Sequence, residues 1–205
     1  SLRHKDLFMI QIRAMLRASS QGQLRIMFPM ISSIDEFRQA KGIVQECIFE
    51  LEQEKHKIST PQLGTMVEMP SLVEIIDELA QEADFLSIGT NDFVQYLLAV
   101  DRTNERVANL YLPQHPAVLR ALKKIADAAI KHHKEISVCG DMAANPKFLS
   151  FLLGIGIRTL SVDARYLPKL HEALSGITIS ETQQLVREVL KQSTVERTSS
   201  LLGLE

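Results

Sequence analysis

The sequence predicts a parallel α/β fold, and three observations lead there. Short apolar runs alternate with amphipathic stretches of helical periodicity along the chain, the order that builds a parallel sheet through crossover helices. The runs are mostly continuous rather than alternating in polarity, which suits strands covered on both faces. Polar residues stand where those runs end, at Glu68, at Asn91-Asp92 and at Cys139. A (β/α)8 barrel builds its active site from several strand ends on one face. A doubly wound sheet would instead gather ligands at one switch point beside a glycine-rich turn. No G-x-G-x-x-G or Walker sequence occurs in the 205 residues, so the TIM-type barrel is the expected architecture. About eight strands make such a barrel and roughly five are legible here. The N-terminal three are expected to be missing, and residues 1–205 read as one partial barrel domain that begins inside an architecture.

Each element has its own warrant. Leu7, Ile10, Met15 and Leu16 among basic residues give an opening helix. Leu24 to Met30 reads as a strand, followed by a helix from about Ile34 to Glu54 with Asp35-Glu36 in its first turn, where acids suit the helix dipole. Leu63 to Met69 is the second strand; Ser71 behind Pro70 is expected to cap a helix carrying Leu72, Ile75, Ile76 and Leu79. The third strand, Phe85 to Ile88, leads through Gly89-Thr90-Asn91-Asp92 into another helix. Asp101 to Gln114 holds little periodicity. Then come a helix from Pro116 to His133, a strand from Ile136 to Cys139, a helix from Pro146 to Leu153 and a strand from Thr159 to Val162. The tail from Ser180 is helical to Ser193, and Ser199 to Glu205 is expected to fray as a disordered end.

Composition removes several function classes. With 23 Lys and Arg against 25 Asp and Glu, the net charge is -2, so neither nucleic acid nor an anionic membrane surface is an expected partner. No apolar run approaches the roughly 20 residues of a membrane span, and Ser1-Leu2-Arg3-His4 lacks the apolar core of a secretory signal. Only Cys47 and Cys139 are present, which argues against a disulfide framework and for a reducing cytoplasm.

The strand-end residues suggest chemistry. Glu68 and Asp92 at neighbouring strand ends make a hard-oxygen site suited to Mg²⁺, which takes one or two carboxylates and completes its shell with substrate oxygens and water; the same acids would also serve as solvated loop residues or helix caps. Gly89-Thr90-Asn91-Asp92 turns into a helix whose free N–H groups can receive phosphate oxygens, or simply be capped. Arg102 offers bidentate binding to phosphate or carboxylate, with a surface ion pair to Asp101 or Glu105 as the plainer alternative. The thiol of Cys139 can move a proton, with Asp141 two residues on and oriented toward it, or be a buried apolar residue, the fate assigned to Cys47. His115 between prolines reads as a loop residue and His132-His133 as a helix end; none is assigned as ligand or phosphoacceptor.

Taken together the segments resemble a family. Leu24 to Met30, Met66-Val67-Glu68-Met69-Pro70, Asp84 to Asp92, Gln95-Tyr96, Ala99-Val100-Asp101-Arg102, Asn104, Leu110-Tyr111 and Cys139-Gly140 resemble, in order, Enzyme I of the phosphoenolpyruvate-dependent phosphotransferase system, as far as about Leu174. The most specific stretches are Ser87 to Asp92 and Ala99 to Arg102. The resemblance implies transfer of a phosphoryl group from phosphoenolpyruvate to a histidine on a separate N-terminal domain, releasing pyruvate, with onward relay to a histidine-containing phosphocarrier protein. By position it implies Glu68 and Asp92 as Mg²⁺ ligands, Asn91 and Arg102 as phosphate-binding residues, and Cys139 as the acid that protonates the enolate carbon. It also implies a homodimer. Met69 where the family often has Thr, Asp141 where it has Glu, and Ser161-Val162-Asp163-Ala164 in a usually Ser-rich segment lean toward the nitrogen-regulatory paralogue. Without the phosphohistidine domain and the early strands, the chain alone is expected to bind phosphoenolpyruvate poorly. Two rivals fit part of the pattern: another barrel enzyme of phosphoenolpyruvate or pyruvate (a dikinase or a lyase), and a non-catalytic module whose open strand edges dimerise a larger regulator.

Overall fold

Phe8, Ile12 and Leu16 recur every four residues, and helix α1 (Lys5–Ala18) buries that stripe. From there strand and helix alternate through the computed structural model, which describes residues 2–204. Strand β1 (Arg25–Phe28) is followed by α2 (Ile34–Gln53), and β2 (Gln62–Val67) by α3 (Ser71–Glu74) and α4 (Ile76–Glu82). Strand β3 (Phe85–Gly89) runs directly into α5 (Thr90–Leu97), and a long loop with one 3-10 turn leads to α6 (Pro116–Lys131). Strand β4 (Glu135–Cys139) precedes α7 (Asp141–Ala144) and α8 (Pro146–Gly154), and β5 (Thr159–Ser161) precedes α9 (Leu167–Leu174), α10 (Ile179–Lys191) and α11 (Val195–Leu202).

The five strands form one sheet in the order β1-β2-β3-β4-β5, parallel throughout. Strand order that never reverses is barrel order, with no switch point between strands. The sheet is an arc of a TIM-type barrel, as expected, and each strand identified in the sequence is present. The helices cover its outer face: Leu72, Ile76, Leu79, Leu119, Leu122 and Phe151 are fully buried between helix layer and sheet.

Burial on the inner face departs from expectation. Only β3 is buried at every position; in β1 exposed and buried residues alternate, and β4 reads exposed, buried, half-buried, buried, half-buried. Side chains alternate across a strand, so Arg25 and Met27, with Ser137 and Cys139, form the less covered inner row. Arg25 spans that face to Glu135 at 2.9 Å, with its guanidinium 4.0 Å above the Phe85 ring.

Four local features also differ. Ser71 does not cap its helix: Pro70 occupies the cap, and the Ser71 hydroxyl donates instead to Ser32 O at 2.9 Å. The following helix breaks at Ile75, whose φ of -115° is not helical. The end expected to fray from Ser199 is helical as far as Leu202. Thr194 Oγ1 accepts from the Arg197 amide at 3.4 Å, Gly203 closes α11 at φ +63°, and Thr198 and Leu202 are buried; Glu205 lies outside the described residues. His115, expected in a loop, caps α6 by accepting from the Ala117 amide at 3.1 Å. Among the described residues no helix is long and apolar enough to cross a membrane.

Candidate active site

The register fixes which strand ends meet. Val67 pairs with Ile88 and Gly89 with Cys139, so Glu68, the first turn of α5 and Cys139 emerge side by side at the C-terminal edge of the sheet. Close approach needs Gly89, because a Cβ there would stand 2.8 Å from Glu68 Oε2 and 2.8 Å from Met66 Sδ.

Glu68 is 2% exposed. Its Oε1 accepts a 2.6 Å hydrogen bond from the Met30 amide, and among the described residues no donor reaches Oε2. Burial pushes its pKa up, the Met30 amide pulls it down, and the neighbouring charge of Asp92 adds to the rise. Asp92, half-buried in the first turn of α5, is thus the acid that Glu68 senses. Among the described residues no group of three or more His, Cys, Asp or Glu side chains is arranged to hold a metal by itself.

Asn91 is used at its oxygen: Oδ1 accepts from the Asp141 amide at 2.8 Å, tying the loop after β4 to the start of α5. Thr90, wholly buried, makes a second tie by donating to Cys139 O at 2.6 Å. Cys139 itself is half-buried and its thiol donates to Ile88 O at 3.5 Å. Burial pushes the thiol pKa up, the Ser87 hydroxyl pulls it down, and Glu68 and Asp92 push it further up. The thiol therefore keeps its proton at neutral pH. Ser87 is buttressed in turn by the Ser137 hydroxyl at 2.9 Å.

Asp141 does not orient Cys139, contrary to expectation. Its amide is held by Asn91, and its exposed carboxylate faces Arg102, with Nη1 and Oδ2 3.8 Å apart. Geometry explains this: α7 begins at Asp141, and Gly140 at φ +89° turns the chain away from the thiol. Arg102 sits exposed on the loop after α5, its amide donating to Gln95 Oε1 at 3.2 Å; it pairs with neither Asp101 nor Glu105, the partners its sequence neighbourhood suggests. Tyr111 closes the same side. Its hydroxyl donates to Asn91 O at 3.4 Å, and burial with Asp141 nearby raises its pKa to about 12, against the pull of Arg102.

The structure thus brings Glu68, Asn91, Asp92, Arg102 and Cys139 to one rim. Thr90 and Tyr111 fall within motifs of the sequence that give them no role of their own, and Ser87 and the Met30 amide are further parts to which the sequence assigns nothing. A strand-end acid or thiol is visible as a type of residue at a pattern boundary; a hydroxyl inside an apolar run, or a backbone amide, carries no such signal.

Comparison with known proteins places the chain in a family. Residues 1–179 match the family described as PEP-utilising enzyme, PEP-binding domain. The phosphoenolpyruvate-protein phosphotransferase of Mycoplasma capricolum is 44% identical over 203 residues, covering 98% of this chain and 35% of the relative. That of Staphylococcus aureus is 41% identical over 98% of this chain and 36% of its own length. A Salmonella typhimurium protein named phosphoenolpyruvate-dependent phosphotransferase system is 42% identical over 93% of this chain and 26% of its own. The chain thus spans about a third of the length of these relatives, or less. Among solved structures, a citrate lyase from Burkholderia xenovorans superposes with a TM-score of 0.61 at 17% identity, covering 96% of this chain and 67% of the other, a likeness of fold alone. With residues 1–179 matched, the chain belongs to the PEP-binding domain family of PEP-utilising enzymes.

Proposed function

We propose that this chain is the phosphoenolpyruvate-binding part of a phosphoenolpyruvate-protein phosphotransferase. The observation that carries the reading is the convergence of Glu68, Asn91, Asp92, Arg102 and Cys139 on one rim, held by ties from α5 to the end of β4 and the start of α7. Arg102 binds the phosphoryl oxygens through its guanidinium fork, which substrate recruits from the long Asp141 pair. The Asn91 side chain, with its oxygen engaged, turns its amide nitrogen to the phosphate. Cys139 donates its proton to the enolate carbon as the phosphoryl group leaves, giving pyruvate.

Glu68 and Asp92 fit a Mg²⁺ ion. Glu68 has one oxygen fixed by the Met30 amide and the other toward Gly89, and the mutual repulsion of the two acids is what a divalent cation relieves. When bound, the ion supplies charge neutralisation at phosphate and enolate oxygens. The phosphoryl acceptor is a histidine on a separate domain, from which a histidine-containing carrier protein is charged in the cytoplasm, and the working protein is a homodimer. These readings rest on the resemblance and on relatives carrying the phosphotransferase name.

The test is phosphoenolpyruvate-dependent phosphorylation by a protein carrying this chain together with its phosphohistidine domain. Cys139→Ala and Glu68→Gln are each expected to lower pyruvate release by about 100-fold or more. Unchanged phosphotransfer in both variants would remove the catalytic reading and leave a dimerisation module.

A further inference from the structure

Among the described residues four non-glycine ones have positive φ: Met30 at 56°, Lys55 at 63°, Ala99 at 51° and His133 at 53°. Three of these have an ordinary explanation. Lys55, Ala99 and His133 each follow the C-cap of a helix, α2, α5 and α6 respectively, where a left-handed residue terminates the turn. Met30 follows a strand. Its Cβ makes that conformation sterically unfavourable, its side chain has no polar atom to offset the cost, and the residue is exposed rather than locked in the core. What the conformation accomplishes is to aim the Met30 amide at Glu68 Oε1, 2.6 Å away, across the β1–β2 edge. Backbone strain of this kind persists where surrounding structure over-determines it, and it clusters at functional sites.

We infer that Met30 is a positioning residue: its left-handed backbone presents the N–H that fixes the buried Glu68 carboxylate, leaving Oε2 free to meet a divalent cation. The inference rests on the reading of Glu68 as a metal ligand. The amide does two things for a ligand of this kind. It holds one oxygen, so that the carboxylate cannot rotate, and it partly compensates an anion that burial disfavours. No other group among the described residues donates to Glu68, so the hydrogen-bonded part of that orientation depends on one backbone conformation.

Substitution separates the backbone from the side chain. Glycine at position 30 keeps the N–H and tolerates positive φ; a β-branched residue keeps the N–H but resists that conformation. The probe is Mn²⁺ alone, titrated against the protein and read by electron paramagnetic resonance, with folding checked by circular dichroism. Met30→Gly is expected to bind Mn²⁺ as the unmodified protein does, and Met30→Val about tenfold or more weakly. Glycine rescue excludes a role for the thioether side chain. A second readout needs no metal: in the amide spectrum the Met30 proton is expected far downfield and to move upfield in Glu68→Gln, and Met30→Val is expected to lose the downfield position that Met30→Gly keeps. Equal Mn²⁺ affinity in folded Met30→Val, or a Met30 amide indifferent to Glu68→Gln, would overturn the inference. If the unmodified protein takes up no Mn²⁺, or Glu68→Gln takes it up equally well, the ligand reading fails instead, and the amide resonances decide the positioning role by themselves.

Discussion

At Gly140 the backbone takes φ +89°, and a Cβ there would stand 2.5 Å from Thr90 Oγ1 and 2.6 Å from Asn91 Oδ1. Both atoms are already hydrogen-bonded to the segments either side of Gly140, Thr90 to Cys139 O at the end of β4 and Asn91 to the Asp141 amide at the start of α7. The residue is therefore constrained twice, by conformation and by space, and the thiol beside it inherits the constraint. Gly140→Ala is expected to cost about 1–3 kcal/mol of stability, measured by urea denaturation, and to break the ties that hold Cys139 at the rim. A loss below about 0.5 kcal/mol would mean that the loop adapts easily, against the rigid site described above. At this scale the sequence was half legible. Acids, amide, guanidinium and thiol could be picked out as residue types at strand ends, whereas the orientation of Asp141 could not, because it depends on the sign of one φ angle.

Helix α2 is secured at its start by a reciprocal arrangement. Ser33 Oγ accepts from the Glu36 amide at 3.2 Å, and Glu36 Oε2 accepts from the Ser32 amide at 2.7 Å and the Ser32 hydroxyl at 2.8 Å, a variant of the capping box. The Ser32 amide, then its hydroxyl, hold the Glu36 carboxyl below the usual carboxylate range, against a smaller effect of burial. Because the folded-state pKa is depressed, this stabilisation is present above the unfolded value of 4.5 and is lost as pH falls through the folded one. Glu36→Gln is expected to cost about 1 kcal/mol at pH 7 and almost nothing at pH values where the native carboxyl is already protonated; thermal unfolding across that range checks it. The helix pair α8 and α10 depends on contact of a different kind, since a Cβ at Gly154 would stand 2.3 Å from Thr182 O and 2.6 Å from Val186 Cγ2. Gly154→Ala is expected to destabilise by about 1–3 kcal/mol through overpacking, read as a lower denaturation midpoint with no change at the rim. Strands and long helices were legible from periodicity, and the Ser-Ile-Asp-Glu start of α2 from its acids. The break at Ile75 and the fold of α11 were not, because an interrupted helix keeps its apolar spacing and a polar helix end looks like a tail until Thr198 and Leu202 find their burial.

Over the whole molecule, five parallel strands in unreversed order carry the site on their C-terminal edge, and the helices brace the loops above it. The chain's end takes part in this bracing: Thr198 Oγ1 on α11 donates to Gln114 O at 2.7 Å, and Arg120 on α6 donates to Gln192 O at 2.8 Å beyond α10. The loop that carries Arg102 and Tyr111 is thereby anchored at its far end. Barrel order could be anticipated because only that fold places polar residues at successive strand ends without a glycine-rich turn. The uncovered inner face could not, because strand composition does not record which neighbours complete a sheet. The central claim is that Glu68 and Asp92 jointly hold a divalent cation where an enolate-like dianion completes its shell. Anomalous diffraction from crystals soaked with Mn²⁺ and oxalate tests it most directly. The account predicts a single strong peak between Glu68 Oε2 and the Asp92 carboxylate, with oxalate beside Arg102. A fully occupied Mn²⁺ elsewhere, with those two carboxylates unchanged and no peak between them, would contradict it.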